Sequence, residues 1–276
     1  MYFSLNIKGK LVEYNTPVVM GIINVTPDSF YSGSRNAGVD EAMARAGRML
    51  ADGAAMLDVG GCSTRPGSDP VSEAEEMQRV VPAVAAIREA YPDAVISVDT
   101  FRGSVARRAV EAGADIINDV TAGTVDPDIL QAAVDLKAPY VLTHPAVSSL
   151  TADTPLDATT STVLLDLQHT VRSLRQQGLC DIIIDPGFGF GKTLDQNYRL
   201  MADLDAFACF NCPVLVGISR KSMITRVLDV TAQADDALTG TTVLNTYALQ
   251  RGAAILRVHD VRQAVDTVNI FSHLTR

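Results

Sequence analysis

Short apolar runs rich in Val, Ile and Leu recur at residues 18–23, 55–59, 95–98, 115–117, 140–142, 182–184, 214–216 and 255–258. Their nearly continuous hydrophobicity predicts strands covered on both faces rather than strands with one wet side. Between most of them lie longer alanine-rich amphipathic stretches, at 40–50, 73–90, 103–112, 129–136, 164–177 and 240–250, which predict helices. Strict alternation of this kind implies a parallel sheet wrapped by helices. Eight such strands in 276 residues predict a closed (β/α)8 TIM barrel, with a doubly wound open sheet as the rival architecture. Gly53, Gly113, Gly178 and Gly252 each stand where a helical stretch ends and the approach to the next strand begins, a spelling that suits left-handed helix caps. Ahead of the first run, residues 4–14 read as two short strands around Lys8-Gly9-Lys10, a β-hairpin expected to close the bottom of the barrel. No low-complexity linker divides the chain, so residues 1–276 read as one domain.

Composition refines this picture. Hydrophobic residues make up 47% of the chain and charged residues 20%, enough for a large core and incompatible with disorder. A formal net charge of −9 argues against nucleic acid or an anionic membrane as a partner. Any anionic ligand therefore needs a local basic pocket in an acidic shell. No apolar run reaches the length of a membrane span, and the N-terminal residues do not spell a signal peptide. Four cysteines are too few for a disulfide framework, so reduced thiols in a soluble cytoplasmic protein are the expectation.

In a barrel the chemistry collects where the strands end. The residues that close the apolar runs are Asn24, Asp58, Asp99, Asn118 with Asp119, His144, Asp185, Ser219 and His259. Singly, each suits a cap or turn; together they predict a polar mouth. The stretch Asp58-Val-Gly-Gly-Cys-Ser-Thr-Arg-Pro-Gly67 is dense in glycine and hydroxyls around Arg65, which suits a loop closing over an anion. Asp185-Pro-Gly-Phe-Gly-Phe-Gly-Lys192 fits neither a P-loop nor a dinucleotide fingerprint. It leaves a strand-end carboxylate able to accept two parallel hydrogen bonds from an amino-pyrimidinone edge, with Phe188 and Phe190 able to flank a planar ring. Gly217-Ile-Ser-Arg-Lys-Ser222 and Arg257-Val-His-Asp260 follow the seventh and eighth runs, where barrel phosphate sites are frequent. Arg257 and His259 alternate with Val258 and so face the same side, unless Arg257 is instead consumed by Asp260 or another carboxylate. Cys209-Phe-Asn-Cys212 lacks a second ligand pair and reads as coincidence, and His169 and His273 read as surface residues.

On these residues, and on Gly21-Ile-Ile-Asn-Val-Thr-Pro-Asp-Ser-Phe30, Ser97-Val-Asp-Thr100 and Ile116-Ile-Asn-Asp119, the chain resembles the dihydropteroate synthases, the sulfonamide-inhibited enzymes of folate biosynthesis. The resemblance spans essentially the whole chain. It implies an alkyl-group transferase that joins p-aminobenzoate to 6-hydroxymethyl-7,8-dihydropterin diphosphate. It assigns the pterin edge to Asp99, Asn118, Asp185 and Lys221, with Phe190 beside the ring. The diphosphate falls to Asn24, Thr64, Arg257 and His259, with Mg²⁺ on the phosphates and Asn24. Arg65, Pro66 and Ser219 correspond to the p-aminobenzoate site. Asp99, Asp185, Lys221 and Arg257 are the expected catalytic set, and a homodimer through the last helices is implied. The chain departs from the family pattern at Cys62, where many members carry Glu, in Phe30-Tyr-Ser-Gly-Ser34, which lacks an acidic residue, and at Leu142-Thr-His-Pro-Ala146, which replaces a methionine-rich form. Two alternatives share the pterin residues: a pterin-dependent methyltransferase serving a corrinoid protein, which does not need Arg65, Lys221, Arg257 and His259 together, and a pterin-binding paralogue without turnover.

Overall fold

The computed structural model describes residues 3–25, 35–62, 71–232 and 234–274. The chain opens with an antiparallel pair, β1 (Phe3–Ile7) and β2 (Lys10–Tyr14). Eight parallel strands follow: β3 (Val18–Asn24), β4 (Met56–Gly60), β5 (Val95–Asp99), β6 (Ile116–Asp119), β7 (Tyr140–Thr143), β8 (Ile182–Asp185), β9 (Leu215–Val216) and β10 (Ile255–Val258). The helices between and after them are α1 (Arg35–Ala51), α2 (Glu73–Ala90), α3 (Gly103–Ala112), α4 (Asp128–Leu136), α5 (Thr159–Gln176), α6 (Leu194–Ala202), α7 (Ser222–Leu228), α8 (Ala234–Gln250) and α9 (Val261–Leu274).

The spatial order β8-β7-β6-β5-β4-β3-β10-β9 rejects the open doubly wound rival. The two ends of that order meet through the bridge between Ile184 and Val214 and the hydrogen bond from the Ile184 amide to the Pro213 carbonyl, at 2.9 Å. The ring is therefore a barrel, nearly closed. Two apolar layers hold it. Inside, Met20, Met56, Ile116, Val141, Ile183, Leu215 and Ile255 pack together with Phe3 and Leu5 of the hairpin. Outside, the opposite faces of the strands pack on Val80, Val84 and Ile87 of α2, Ala106 and Ala109 of α3, and their counterparts around the ring. The hairpin thus plugs the N-terminal end of the barrel, as the sequence predicts, and leaves the C-terminal end to the polar residues.

Helix limits differ from the periodicity reading where local chemistry overrides it. Between β8 and β9, where no helix is predicted, α6 starts at Thr193, whose hydroxyl accepts the Gln196 amide while the Gln196 side chain accepts the Thr193 amide. The helix is only nine residues long and passes into a 3-10 turn over Leu204–Phe210, so its apolar repeat is too short to register as a period. Helix α5 begins five residues before the predicted 164, because Thr159 and Thr160 are buried and extend its packed face.

Candidate active site

Parallel pairing sets a row of in-register positions across the mouth: Asn24 opposite Gly60, Gly60 opposite Asp99, Asp99 opposite Asn118. One step below lies Asp58, in register with Ile22 and Ser97. Strand register alone therefore gathers Asn24, Asp58, Asp99 and Asn118, because alternate residues of a strand face the same side. Asp185 ends β8, and Arg257 comes from the third position of β10.

The side chains then connect across the ring. Arg257 Nε donates to Asp58 Oδ2 at 2.6 Å, and its Nη2 donates to Asp99 Oδ2. The same Asp58 oxygen accepts Asn118 Nδ2 at 2.9 Å. Arg257 is thus engaged by carboxylates, though not by Asp260, which is held by Arg220 through Nε at 3.1 Å and Nη2 at 2.5 Å. Burial works against the Arg257 charge, but Asp58, Asp99 and Asp185 more than offset it and hold the guanidinium protonated. Burial pushes the Asp99 carboxyl above its ordinary range, with Arg257 opposing and Asp58, Glu76 and Asp119 adding to the rise.

Asp185 is buried, and its Oδ1 accepts the Gly187 amide at 2.8 Å. Burial raises its pKa against the pull of Lys221. Lys221 donates to the Phe188 carbonyl at 2.6 Å, and its Nζ lies 4.6 Å from the centre of the Phe190 ring. Burial lowers its pKa to about 8. The loop after β8 is a tight construction. Gly187 and Gly191 take φ of 73° and 63°, and a Cβ at either would run into the carbonyl of His144 or Ala146. Lys192 ties the loop to itself, donating to the Gly187 and Phe190 carbonyls at 2.8 and 3.1 Å. Ser219 Oγ lies 3.1 Å from His259 Nδ1 and accepts the His259 backbone amide at 3.2 Å, which joins the ends of β9 and β10. Gly217 leaves the wall beside Asp185 and Arg257 without a side chain: a Cβ there would stand 3.8 Å from Asp185 Oδ2 and 3.9 Å from Arg257.

Among the predicted residues, then, Asp99, Asn118 and Arg257 are brought together through Asp58, Asp185 and Lys221 share the β8 side with Phe190, and Ser219 sits with His259. Thr64, Arg65 and Pro66 lie outside the described residues. Two strand-end residues turn away. Asp119 accepts the Tyr140 hydroxyl, the Thr121 amide and hydroxyl and the Gly123 amide, all at 2.7 Å, and anchors its own loop. His144 is fully buried with Nε2 3.1 Å from Asp166 of α5, and burial lowers its pKa to about 4, so it is a neutral packing residue. At the departure from the family pattern, Cys62 sits 3.8 Å from Arg102, which pairs with the fully buried Glu76 and donates to the Val71 carbonyl at 2.7 Å. Burial and Glu76 push the thiol up to about 12. The sequence places Asp58 in the polar mouth but assigns it no ligand or partner, and it gives Glu76 and Arg102 no role. For Asp58 the signal was a charge inside a strand otherwise wholly apolar.

Among the described residues no group of three or more His, Cys, Asp or Glu side chains could hold a metal ion. Asn24 offers one neutral amide oxygen at the rim, a donor that fits a hard cation keeping several of its waters. No helix of the described residues is long and apolar enough to cross a membrane.

Known proteins resemble this chain in sequence and in fold. The family model for pterin binding enzymes matches residues 20–259. The dihydropteroate synthase of Streptococcus pyogenes serotype M6 is 41% identical over 268 residues, covering 96% of this chain and 98% of that protein. The solved dihydropteroate synthase of Xanthomonas albilineans with 4-aminobenzoic acid superposes with a TM-score of 0.90 at 37% identity, covering 99% of this chain and 98% of that one. The same bacterium's enzyme in complex with 7,8-dihydropteroate gives 0.87 at 36% identity, over 99% of both chains. With the family model matched over residues 20–259 and relatives matched over nearly the whole chain, the chain belongs to the dihydropteroate synthases, within the pterin-binding enzymes.

Proposed function

We propose that this chain joins p-aminobenzoate to 6-hydroxymethyl-7,8-dihydropterin diphosphate, releasing 7,8-dihydropteroate and pyrophosphate. The observation that carries the reading is the convergence of Asp99, Asn118, Asp185 and Arg257 from four strands, with Lys221 from the segment after β9, on one barrel mouth, in a chain of this family. Asp185 and Asp99 accept the N–H groups of the ring, Asn118 and Lys221 complete its edge, and Phe190 covers a face. A mispaired buried group here costs about 1–3 kcal/mol, enough to select the ring. Arg257 and His259, with Thr64, take the diphosphate. Ser219, Arg65 and Pro66 take p-aminobenzoate.

The reaction follows from where charge develops. The bond from the pterin methylene to the diphosphate oxygen breaks, and the electron pair leaves with pyrophosphate. The carboxylates Asp99 and Asp185 favour the electron-poor methylene left behind, and Arg257 meets the charge gathering on the leaving group. The arylamine nitrogen then bonds to the methylene and gives up its proton. A weak arylamine nucleophile suits a dissociative, SN1-like course. Mg²⁺, held by the phosphates and Asn24, would supply further neutralisation of the diphosphate.

Val243 of α8 and Ile270 and Leu274 of α9 are exposed apolar residues, which supports a homodimer through these helices. Four unpaired cysteines accord with a cytoplasmic setting.

The test is pyrophosphate release from purified chain given dihydropterin diphosphate, p-aminobenzoate and Mg²⁺. Release is expected to require both organic substrates and to stop in excess chelator. Full turnover in chelator removes the metal from the reading; pterin binding without any release leaves a paralogue that only binds.

A further inference from the structure

Arg257 is held at two points of different character. Its Nε rests on Asp58, whose side chain exposes no surface at all, and its Nη2 rests on Asp99, whose side chain is 12% exposed. A ligand entering the mouth therefore reaches Asp99 directly and reaches Asp58 only by displacing Arg257 or Asn118. Asp58 is also an expensive residue to keep. It is a buried carboxylate whose Oδ1 has no hydrogen-bond partner among the described residues, while Oδ2 serves Arg257 at 2.6 Å and Asn118 at 2.9 Å. Removing charged pairs from protein interiors is often neutral or stabilising, so a half-satisfied carboxylate at this depth is weak as a stability device.

The chemistry of the two partners suggests what the arrangement does. A dihydropterin ring carries N–H donors, and Asp99 accepts a bond from Arg257 Nη2, so ring and guanidinium compete for one carboxylate. We propose that Asp58 is a positioning residue, the fixed pivot of Arg257: arrival of the pterin at Asp99 releases Nη2, while the Nε bond to Asp58 keeps the guanidinium at the mouth and turns its freed edge toward the diphosphate. Pterin recognition and phosphate recognition are thereby coupled through one buried carboxylate that touches neither ligand. Asn118, held by the same oxygen, keeps the ring-reading side in register with the pivot. The inference rests on the substrate reading given above and adds a residue to it.

The experiment compares the affinity of dihydropterin diphosphate with that of 6-hydroxymethyl-7,8-dihydropterin, which has no phosphate, by calorimetry on four proteins: wild type, Asp58→Asn, Arg257→Ala and the double variant. Asp58→Asn is expected to lower the ratio of the two affinities about tenfold, the scale of a charge-assisted hydrogen bond. Added to Arg257→Ala, it should leave the ratio unchanged, because the pivot then has nothing to hold. Asp58→Glu keeps the charge but moves it by a methylene, and should lower the ratio similarly while melting near wild type. A ratio untouched by Asp58→Asn, or lowered equally on both backgrounds, overturns the pivot. A merely structural role would weaken both ligands alike and is excluded by a selective loss. If the wild type turns over but the ratio does not move, only this inference fails; if the wild type binds no dihydropterin diphosphate, the substrate reading fails with it.

Discussion

The two ends of the barrel solve the same problem, a buried carboxylate beside cations, in opposite ways. At the bottom, Asp115 is saturated. Arg88 bonds its Oδ2 at 2.5 Å, the Ile96 amide donates to the same oxygen at 2.9 Å, and Lys8 of the hairpin turn reaches Oδ1 at 2.9 Å. Two cations and a backbone donor surround one anion, and Phe3 and Leu5 seal the layer beneath. At the mouth the proportions reverse. One guanidinium is shared between Asp58 and Asp99, and Asp58 Oδ1 has no partner among the described residues. Saturated groups have nothing left to offer a ligand, whereas groups that share partners exchange them when a better one arrives. The bottom therefore holds the fold, and the mouth is left able to bind.

Substitutions at each end should separate these roles. The largest effect is expected at the mouth: Arg257→Ala should lower kcat/KM by about 100- to 1,000-fold, the usual loss when a donor to developing charge is removed. Its binding loss should be selective for the diphosphate over the free hydroxymethyl pterin; equal weakening of both would show that Arg257 holds the ring or the fold. At the bottom, Asp115→Ala should cost about 3 kcal/mol of unfolding free energy in denaturant titrations, since it strands the largely buried Arg88 and the Ile96 amide and releases the half-exposed Lys8, while KM stays within about twofold. A large KM change there would erase the division between the two ends.

A subtler contrast lies in pH. Lys221 carries a pKa lowered to about 8 from 10.5 by burial. If its cationic form serves the substrate as proposed, that form is half lost at pH 8, so kcat/KM should fall on the alkaline side with a midpoint near 8. Stability moves the other way. Between about 8 and 10.5 the unfolded chain binds more protons at this group than the folded one, so the contribution of Lys221 to stability rises with pH. Lys221→Arg should keep its charge and move the alkaline limb beyond pH 9; an unmoved limb assigns it to another group. The smallest effect is expected at Cys62. Its thiol is neutral beside the Glu76–Arg102 pair, so Cys62→Ser should change turnover by no more than about threefold. A loss above about 100-fold, roughly 2.7 kcal/mol of barrier, would make the thiol a participant.

The order of the strands, most of the helices between them, the hairpin at the bottom and the polar mouth were legible in the amino-acid sequence. Continuous apolar runs such as 182–184 have one stable use, a strand covered on both faces, and the residue that ends each run must then stand at the rim. Asn24, Asp99, Asn118 and Asp185 read as strand ends in this way because strand register carries a one-dimensional pattern directly into space, whereas Lys221 and Arg257 stood out as cations beyond the seventh run and within the eighth. What the tertiary structure alone decided is which partner each group takes. Arg257 and Asp58 are 199 residues apart and Asn118 and Asp58 are 60 apart, so only closure of the ring makes Asp58 their shared acceptor. His144 and Asp119 occupy strand ends as the others do, yet turn to Asp166 and to Thr121 and Tyr140, because short-range packing around each strand end chooses among outlets that the pattern leaves equal. Helix α6 was missed for a related reason: nine residues carry too few turns for a period, and its start is fixed by a cap. Local patterns state which residues are buried and which reach the mouth; pairing between distant residues is a property of the closed barrel.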